Sequence, residues 1–266
     1  MPFDRNKSIG GSDAPAILAG NWQELWRLKT KRAQPENLDH VFKVQLGKHT
    51  EQFHIDWIAA RDNILLLPTA TAPIRNPKYP FAHVQVDALG ELPGDPSWFA
   101  IETKHSSGKR SLHDLAEYYM GQLVHTAAVT ETSRVLFSVI QGNDEPETVF
   151  VDITPSMIDQ LMGMEAEFWA LVEADVEPMA LHDTSATVKT IAAEMKVGGF
   201  RKADMTGSNE WADAAARYFL HKEPAAAFAK AKDDMKALIA NDVGEAIGHG
   251  IQFKRDKRGA LRIKEI

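Results

Sequence analysis

VQVDALGELPGDPSWFAIETKHS, residues Val84 to Ser106, decides the reading of this chain. Alternation through Val84 and Val86, a turn rich in Gly, Pro and Asp, and the apolar run Trp98 to Ile101 predict two short strands joined as a hairpin. Asp87 falls on the first strand, and Glu102 and Lys104 fall on the second. Side chains two apart on a strand share a face, so Glu102 and Lys104 point the same way and strand pairing brings Asp87 beside them. Two carboxylates and an ammonium converging at a strand end suit a hard divalent cation and a water molecule.

Working outward, RNKSIGGS (residues 5 to 12) is a glycine-rich turn leading into a short helix that Ser12 or Asp13 can cap and Gly20 ends. Backbone N–H groups at that helix start, beside Arg5, form a small anion site, although a plain flexible turn gives the same pattern. Residues 21 to 32 follow as an amphipathic helix with Trp22, Leu25 and Trp26 inward. Val41 to Arg61 has helical periodicity through Phe53, Trp57 and Ile58 and carries Glu51, for which a solvated, dipole-compensating role is the competing reading. Four runs (65–89, 99–105, 135–142 and 148–154) predict a sheet of about four or five strands. SLHDLAEYYMGQLVHTAAVT predicts one amphipathic helix, on which Tyr119 and Gln122, three apart, share a face. Strand, helix and strand in that order imply a crossover unit with the helix on a mixed sheet. Residues 155 to 180 form a core helix.

After Pro178 the composition turns Ala-, Lys- and Asp-rich, with helical segments near 208–221 and 224–239. The tail predicts a β-hairpin turning at Asp256–Gly259 and gathers Lys254, Arg255, Lys257, Arg258, Arg262 and Lys264. A charge-protected edge strand and a phosphate-binding patch explain that cluster equally. The expected division is a core over 1–180 and, over 181–266, a helical extension with a closing basic hairpin packed on the same domain.

The 266 residues, 44% hydrophobic, can bury a sizeable core. Zero cysteines exclude disulfides, thiolate zinc sites and iron–sulfur clusters. No apolar run is long enough to span a membrane and MPFDRNKSIGG lacks a signal-peptide core, so a cytoplasmic location, in a bacterial or phage-infected cell, is expected. A formal charge of −7 argues against indiscriminate adhesion to nucleic acid, so any such contact is a local basic patch. Histidines 49, 54, 83, 105, 113 and 125 raise a transition-metal alternative, but His49 and His54 are five apart, a poor spacing for one helix face.

Phosphodiester hydrolysis needs an activated water, neutralised phosphoryl oxygens and a stabilised leaving oxygen, all of which one or two Mg²⁺ ions about 4 Å apart can supply. Asp87 and Glu102 suit as ligands together with the Thr103 carbonyl, and Lys104 suits the water. On residue types alone, surface charges on a hairpin explain Asp…Glu-x-Lys as well.

Five ordered pieces add to this: Arg5 before IGGSDAPAIL, Gly47-x-x-x-Glu51, Asp87, Glu102-x-Lys104, and Tyr119-Met120-x-Gln122. Together they resemble the YqaJ-type viral recombinase group, the lambda-exonuclease-like branch of the PD-(D/E)XK nucleases, over about residues 5 to 141. The resemblance implies an α/β (α+β) fold with a restriction-endonuclease-like core, a mixed β-sheet flanked by helices. It implies that Asp87, Glu102, Thr103 and Glu51 hold Mg²⁺, with two ions and Mn²⁺ as a substitute, and that Lys104 serves the water. Arg5, Ser12 and Gln122, with Tyr119 and His105, would hold the 5′-phosphate and DNA. The implied activity is 5′-to-3′ degradation of one strand from double-stranded DNA ends, by a toroidal trimer working with a single-strand annealing protein. Val86 and Ala88 replace the group's usual proline and glycine around the aspartate. A restriction-like or structure-specific endonuclease, and a non-catalytic DNA-end or partner-binding module, are the alternatives.

Overall fold

The computed structural model describes residues 3–69, 72–198, 206–207, 209–256 and 258–266. In chain order the elements are β1 (Ile9–Gly10), α1 (Ala14–Leu18), α2 (Trp22–Lys29), α3 (Phe42–Arg61), β2 (Leu65–Leu67), β3 (Ala82–His83), β4 (Ala88–Leu92), β5 (Asp95–Ser106), α4 (Leu112–Tyr118), α5 (Met120–Thr130), β6 (Arg134–Gln141), β7 (Glu147–Asp152), α6 (Pro155–Glu173), α7 (Ser185–Glu194), β8 (Lys196–Val197), α8 (Asn209–Ala237), β9 (Glu245–Gly248), β10 (Ile251–Arg255) and β11 (Leu261–Glu265). They divide into two compact units, Met1–Phe200 and Arg201–Ile266. No helix among the described residues is long and apolar enough to cross a membrane.

The first unit is built on a six-stranded sheet of order β2-β4-β5-β6-β7-β8, and a short parallel pair, β1-β3, stands apart from it. β5 and β6 pair in parallel, and the other pairs of the large sheet are antiparallel. A parallel pair needs a crossover, which α4 and α5 provide. Residues Val135 to Gln141 of β6 are buried without alternation, as a strand covered on both faces must be. On one face Ala100, Phe137 and Val139 pack with Leu123, Val124 and Phe168. On the other, Phe99, Ile101 and Leu136 pack with Ile55 and Ile58 of α3. The sheet therefore lies between helices, as the sequence implied.

Pro93-Gly94 makes the expected tight turn between β4 and β5, with Gly94 at φ +78°, the position a type II turn reserves for glycine. Several details differ from the sequence reading. The first strand begins only at Ala88, so Asp87 sits in the bend before it. The expected single helix at 111–130 breaks at Tyr119, which caps both α4 and α5. Helix α3 buries Ile58, as its periodicity implied, but exposes Phe53 (58%) and Trp57 (44%) and buries His54 and Ile55 in their place. Its inward face meets a polar sheet position, Ser138, which His54 Nε2 reaches at 2.7 Å, so apolar periodicity misplaced the stripe. Strands β8 and β9 and helix α7 were not anticipated.

The second unit pairs α8, one continuous helix through Pro224 rather than two segments, with the antiparallel sheet β11-β10-β9. Lys257 of the expected tail cluster lies outside the described residues.

Candidate active site

β5 runs between β4 and β6 through the middle of the sheet, and Glu102 and Lys104 project from the face covered by α5. Glu102 is 2% exposed. Its Oε1 accepts from the Lys104 ammonium and from Gln122 Nε2 on α5, the latter at 2.5 Å. Lys104 also lies 5.1 Å from the centroid of the Tyr119 ring. Tyr119 in turn packs on Phe137, so it supports the lysine from beneath.

Because β4 pairs with β5 only as far as Ala88–Ile101, the edge of β5 beyond that point is open. Asp87 fills it: Oδ2 accepts from Thr103 N at 2.7 Å and from Thr103 Oγ1 at 2.8 Å. In a strand the N–H and C=O of one residue face the same edge, so the Thr103 carbonyl looks toward Asp87 as well. Asp87 Oδ1 and Glu102 Oε2 accept no hydrogen bond among the described residues. Each carboxylate thus has one oxygen tied down, which fixes it, and one oxygen open.

Electrostatics bind these groups to Glu51 on α3. Burial, then the negative charge of Asp87, raises Glu102 to about 7 against the pull of Lys104. Burial and Asp87 also raise Glu51, again opposed by Lys104. Burial pulls Lys104 down, but Glu102, Asp87 and Tyr119 outweigh it and the net shift is upward. Two carboxylates raised by burial and by the charge of Asp87, beside one lysine, mark a shortage of positive charge, which a divalent cation would relieve. The donor set, open carboxylate oxygens beside a backbone carbonyl, is the hard oxygen chemistry that Mg²⁺ takes, and in that sense the residues fit the ion. These carboxylates are not preassembled as a close cage. Among the described residues, the set whose ligand atoms all lie within 4.8 Å of one another is His113, Asp114 and Glu117, exposed on α4.

Glu51, Asp87 and Gln122 open onto a cleft of about 650 Å³ that is also lined by Arg5, Gly10, Gly11, Ser12 and His83. Arg5 donates to Ser12 Oγ at 2.7 Å. The turn carrying both is held from below by Lys29, a buried residue whose structural part the sequence did not show. Its ammonium donates to the carbonyls of Arg5 and Ser8, each at 3.0 Å, and to Asp13 Oδ2 at 2.5 Å, and that carboxylate also accepts from Gly10 N at 2.8 Å. Ser8 Oγ meets His83 Nδ1 at 2.9 Å. The signal for Lys29 was its place inside the Trp22–Trp26 stripe of α2, where a lysine is buried only with partners.

The structure therefore brings together Asp87, Glu102, Thr103, Lys104, Glu51, Gln122, Arg5 and Ser12, with Tyr119 behind Lys104. It separates His105, which alternation turns to the other face of β5. There His105 Nε2 meets Gly142 O at 3.0 Å and Nδ1 meets Thr50 Oγ1 at 3.3 Å.

No family model matches the chain, and no curated protein matches it significantly. Among solved structures, the alkaline exonuclease LHK-Exo from Laribacter hongkongensis is similar with a TM-score of 0.51 and 15% identity, covering 65% of this chain and 91% of that one. LHK-Exo in complex with dAMP gives 0.50 and 16% over the same shares, 65% and 91%. The chain has the fold of this alkaline exonuclease, a restriction-endonuclease-like mixed sheet between helices.

Proposed function

We propose that the protein is a Mg²⁺-dependent DNA exonuclease that degrades one strand 5′ to 3′ from double-stranded ends. The observation that carries this reading is that Asp87, Glu51 and Gln122, which holds the Glu102–Lys104 pair from α5, line one cleft with the Arg5–Ser12 turn. The shared fold with an alkaline exonuclease supports it, and the five ordered sequence pieces support the polarity.

Asp87, Glu102 and the Thr103 carbonyl would hold the metal, with Glu51 completing its surroundings and Mn²⁺ as a substitute. When bound, the ion supplies charge neutralisation on the phosphoryl oxygens and an acidified water. Lys104 orients the attacking water and offsets negative charge developing on the phosphate. Gln122 fixes the Glu102 carboxylate from α5 and faces the cleft, where it stands beside the incoming end. Arg5 takes the terminal phosphate in charge-assisted hydrogen bonds, and Ser12, now its partner, donates to the same oxygens. The sequence resemblance further supports a trimer encircling DNA, a single-strand annealing protein as partner, and action in the bacterial cytoplasm, in a host or phage-infected cell. Sedimentation at three times 29.5 kDa is the result expected for the trimer.

Incubation of the protein with Mg²⁺ and either linear or covalently closed circular duplex tests the proposal. Nucleotide release from the linear DNA alone is expected. Cutting of the closed circle would assign an endonuclease instead, and no hydrolysis of either would leave a DNA-end-binding module.

A further inference from the structure

The charge of the molecule is polarised between its two units. Residues 1–200 carry 17 Lys and Arg against 27 Asp and Glu, whereas residues 201–266 carry 13 against 10. Within the second unit the antiparallel register decides where that charge goes. Lys254 stands opposite Arg262, and Gln252 opposite Lys264, so these four share one face of the β9–β11 sheet. Ile251, Phe253 and Ile263 share the other, and Ile251 and Ile263 line a pocket with Phe228, Ala231 and Met235 of α8. The packed face is thus settled, and the cationic face is left to solvent: Lys254, Arg262 and Lys264 are all exposed, as is Arg258 at the turn. Lys254, Arg258 and Lys264 make no ion pair among the described residues. Arg262 uses Nε on Asp256 at 3.2 Å, which orients its guanidinium. Glu245, across from Lys254, and Asp256, ion-paired with Arg262, are the acidic groups on this face, and Glu245 accepts from Gln252.

Charged side chains, lysine above all, guard an edge strand against aggregation. Here three cations stand within two strand steps, on both strands of the hairpin, in a protein whose other unit is acidic. We propose that the outward face of the β9–β11 sheet is a second DNA contact, gripping the phosphate backbone of duplex DNA through Lys254, Arg262 and Lys264. The choice of DNA rests on the nuclease reading above. Charge complementarity supports it: an acidic nuclease unit repels the polyanion it acts on, and a separate cationic face supplies the sequence-independent attraction.

The test is binding of the full chain to a labelled blunt duplex in EDTA, by fluorescence anisotropy over a range of NaCl. Lys254→Gln/Arg262→Gln/Lys264→Gln is expected to bind roughly tenfold or more weakly, and the slope of log affinity against log salt is expected to become shallower by roughly 2.7, the counterions of three phosphates. The control Arg217→Gln/Lys222→Gln/Lys230→Gln removes the same charge from α8 and is expected to change the slope by less than half as much. An unchanged slope in the hairpin variant, or equal changes in both variants, would overturn the proposal. So would loss of binding to vesicles containing phosphatidylserine with DNA binding intact. Because EDTA removes hydrolysis from the measurement, the proposal can fail while the nuclease reading stands, and the reverse.

Discussion

Arg5 and Ser12 are close enough to hydrogen-bond at 2.7 Å, and the buried Lys29 locks the carbonyl of Arg5 beneath them. That arrangement presents a guanidinium and a hydroxyl to the cleft at fixed positions. Arg5→Ala should therefore lower the rate on 5′-phosphorylated ends by about tenfold or more, the worth of a charge-assisted hydrogen bond, while 5′-hydroxyl ends lose little. Equal loss on both ends would remove Arg5 from phosphate recognition. Buried His54 gives a pH prediction. Burial first, then the charges of His105 and Arg61, lowers it to about 4, below its unfolded value of about 6.5. Above about pH 6.5 the ring is neutral whether folded or not, and stability does not depend on it. As pH falls from 6.5 toward 4, the unfolded chain takes up a proton that the folded ring refuses, so stability is lost by up to about 1.4 kcal/mol per pH unit. Urea midpoints at pH 7 and pH 5 should show this loss in the wild type and a smaller one in His54→Gln; parallel losses would refute it. Of the site residues, Glu102 and Lys104 were legible as neighbours because strand period fixes them locally, whereas Arg5 and Ser12 as a pair entered through the family resemblance. Lys29 and His54 were not legible, because each owes its burial to partners far off in the chain.

Helix α1 crosses α5 at Gly121, and that crossing sets the distance between the Arg5–Ser12 turn and the β5 strand. A Cβ at Gly121 would stand 2.9 Å from Leu18 Cδ1 and 3.1 Å from the backbone of Ala14 and Pro15. Backbone on both sides cannot step aside as a side-chain tip can, so Gly121→Ala should destabilise the protein by about 1–3 kcal/mol, read as a lower thermal midpoint. A midpoint equal to that of the wild type would mean that the two helices are not held at this distance. The elements themselves were largely readable. The hairpin, the crossover and the α6 core helix follow from period and turn chemistry. The errors share one physical cause: local pattern cannot see which face of a helix meets the sheet. Phe53, Trp57 and Ile58 carried the helical periodicity of α3, yet of these only Ile58 lies on the face that packs on β5 and β6, beside His54 and Ile55. Asp87 likewise continued an alternating run, but pairing starts one residue later, and the bend is what frees its carboxylate to reach Thr103.

Across the whole molecule, charge is arranged against the net sign. A chain of formal charge −7 concentrates three cations on one face of its second unit and embeds a single lysine among the carboxylates of its first. The central claim is that Asp87, Glu102 and Lys104 form the cutting centre and that Arg5 and Ser12 grip the end. Its most direct test is Mg²⁺-dependent release of nucleotide from linear duplex by Glu102→Ala and Lys104→Ala, with duplex binding measured in EDTA alongside. The rate should fall by at least roughly a hundredfold in each, with binding within about threefold of the wild type. Either variant cutting at the wild-type rate would contradict the assignment.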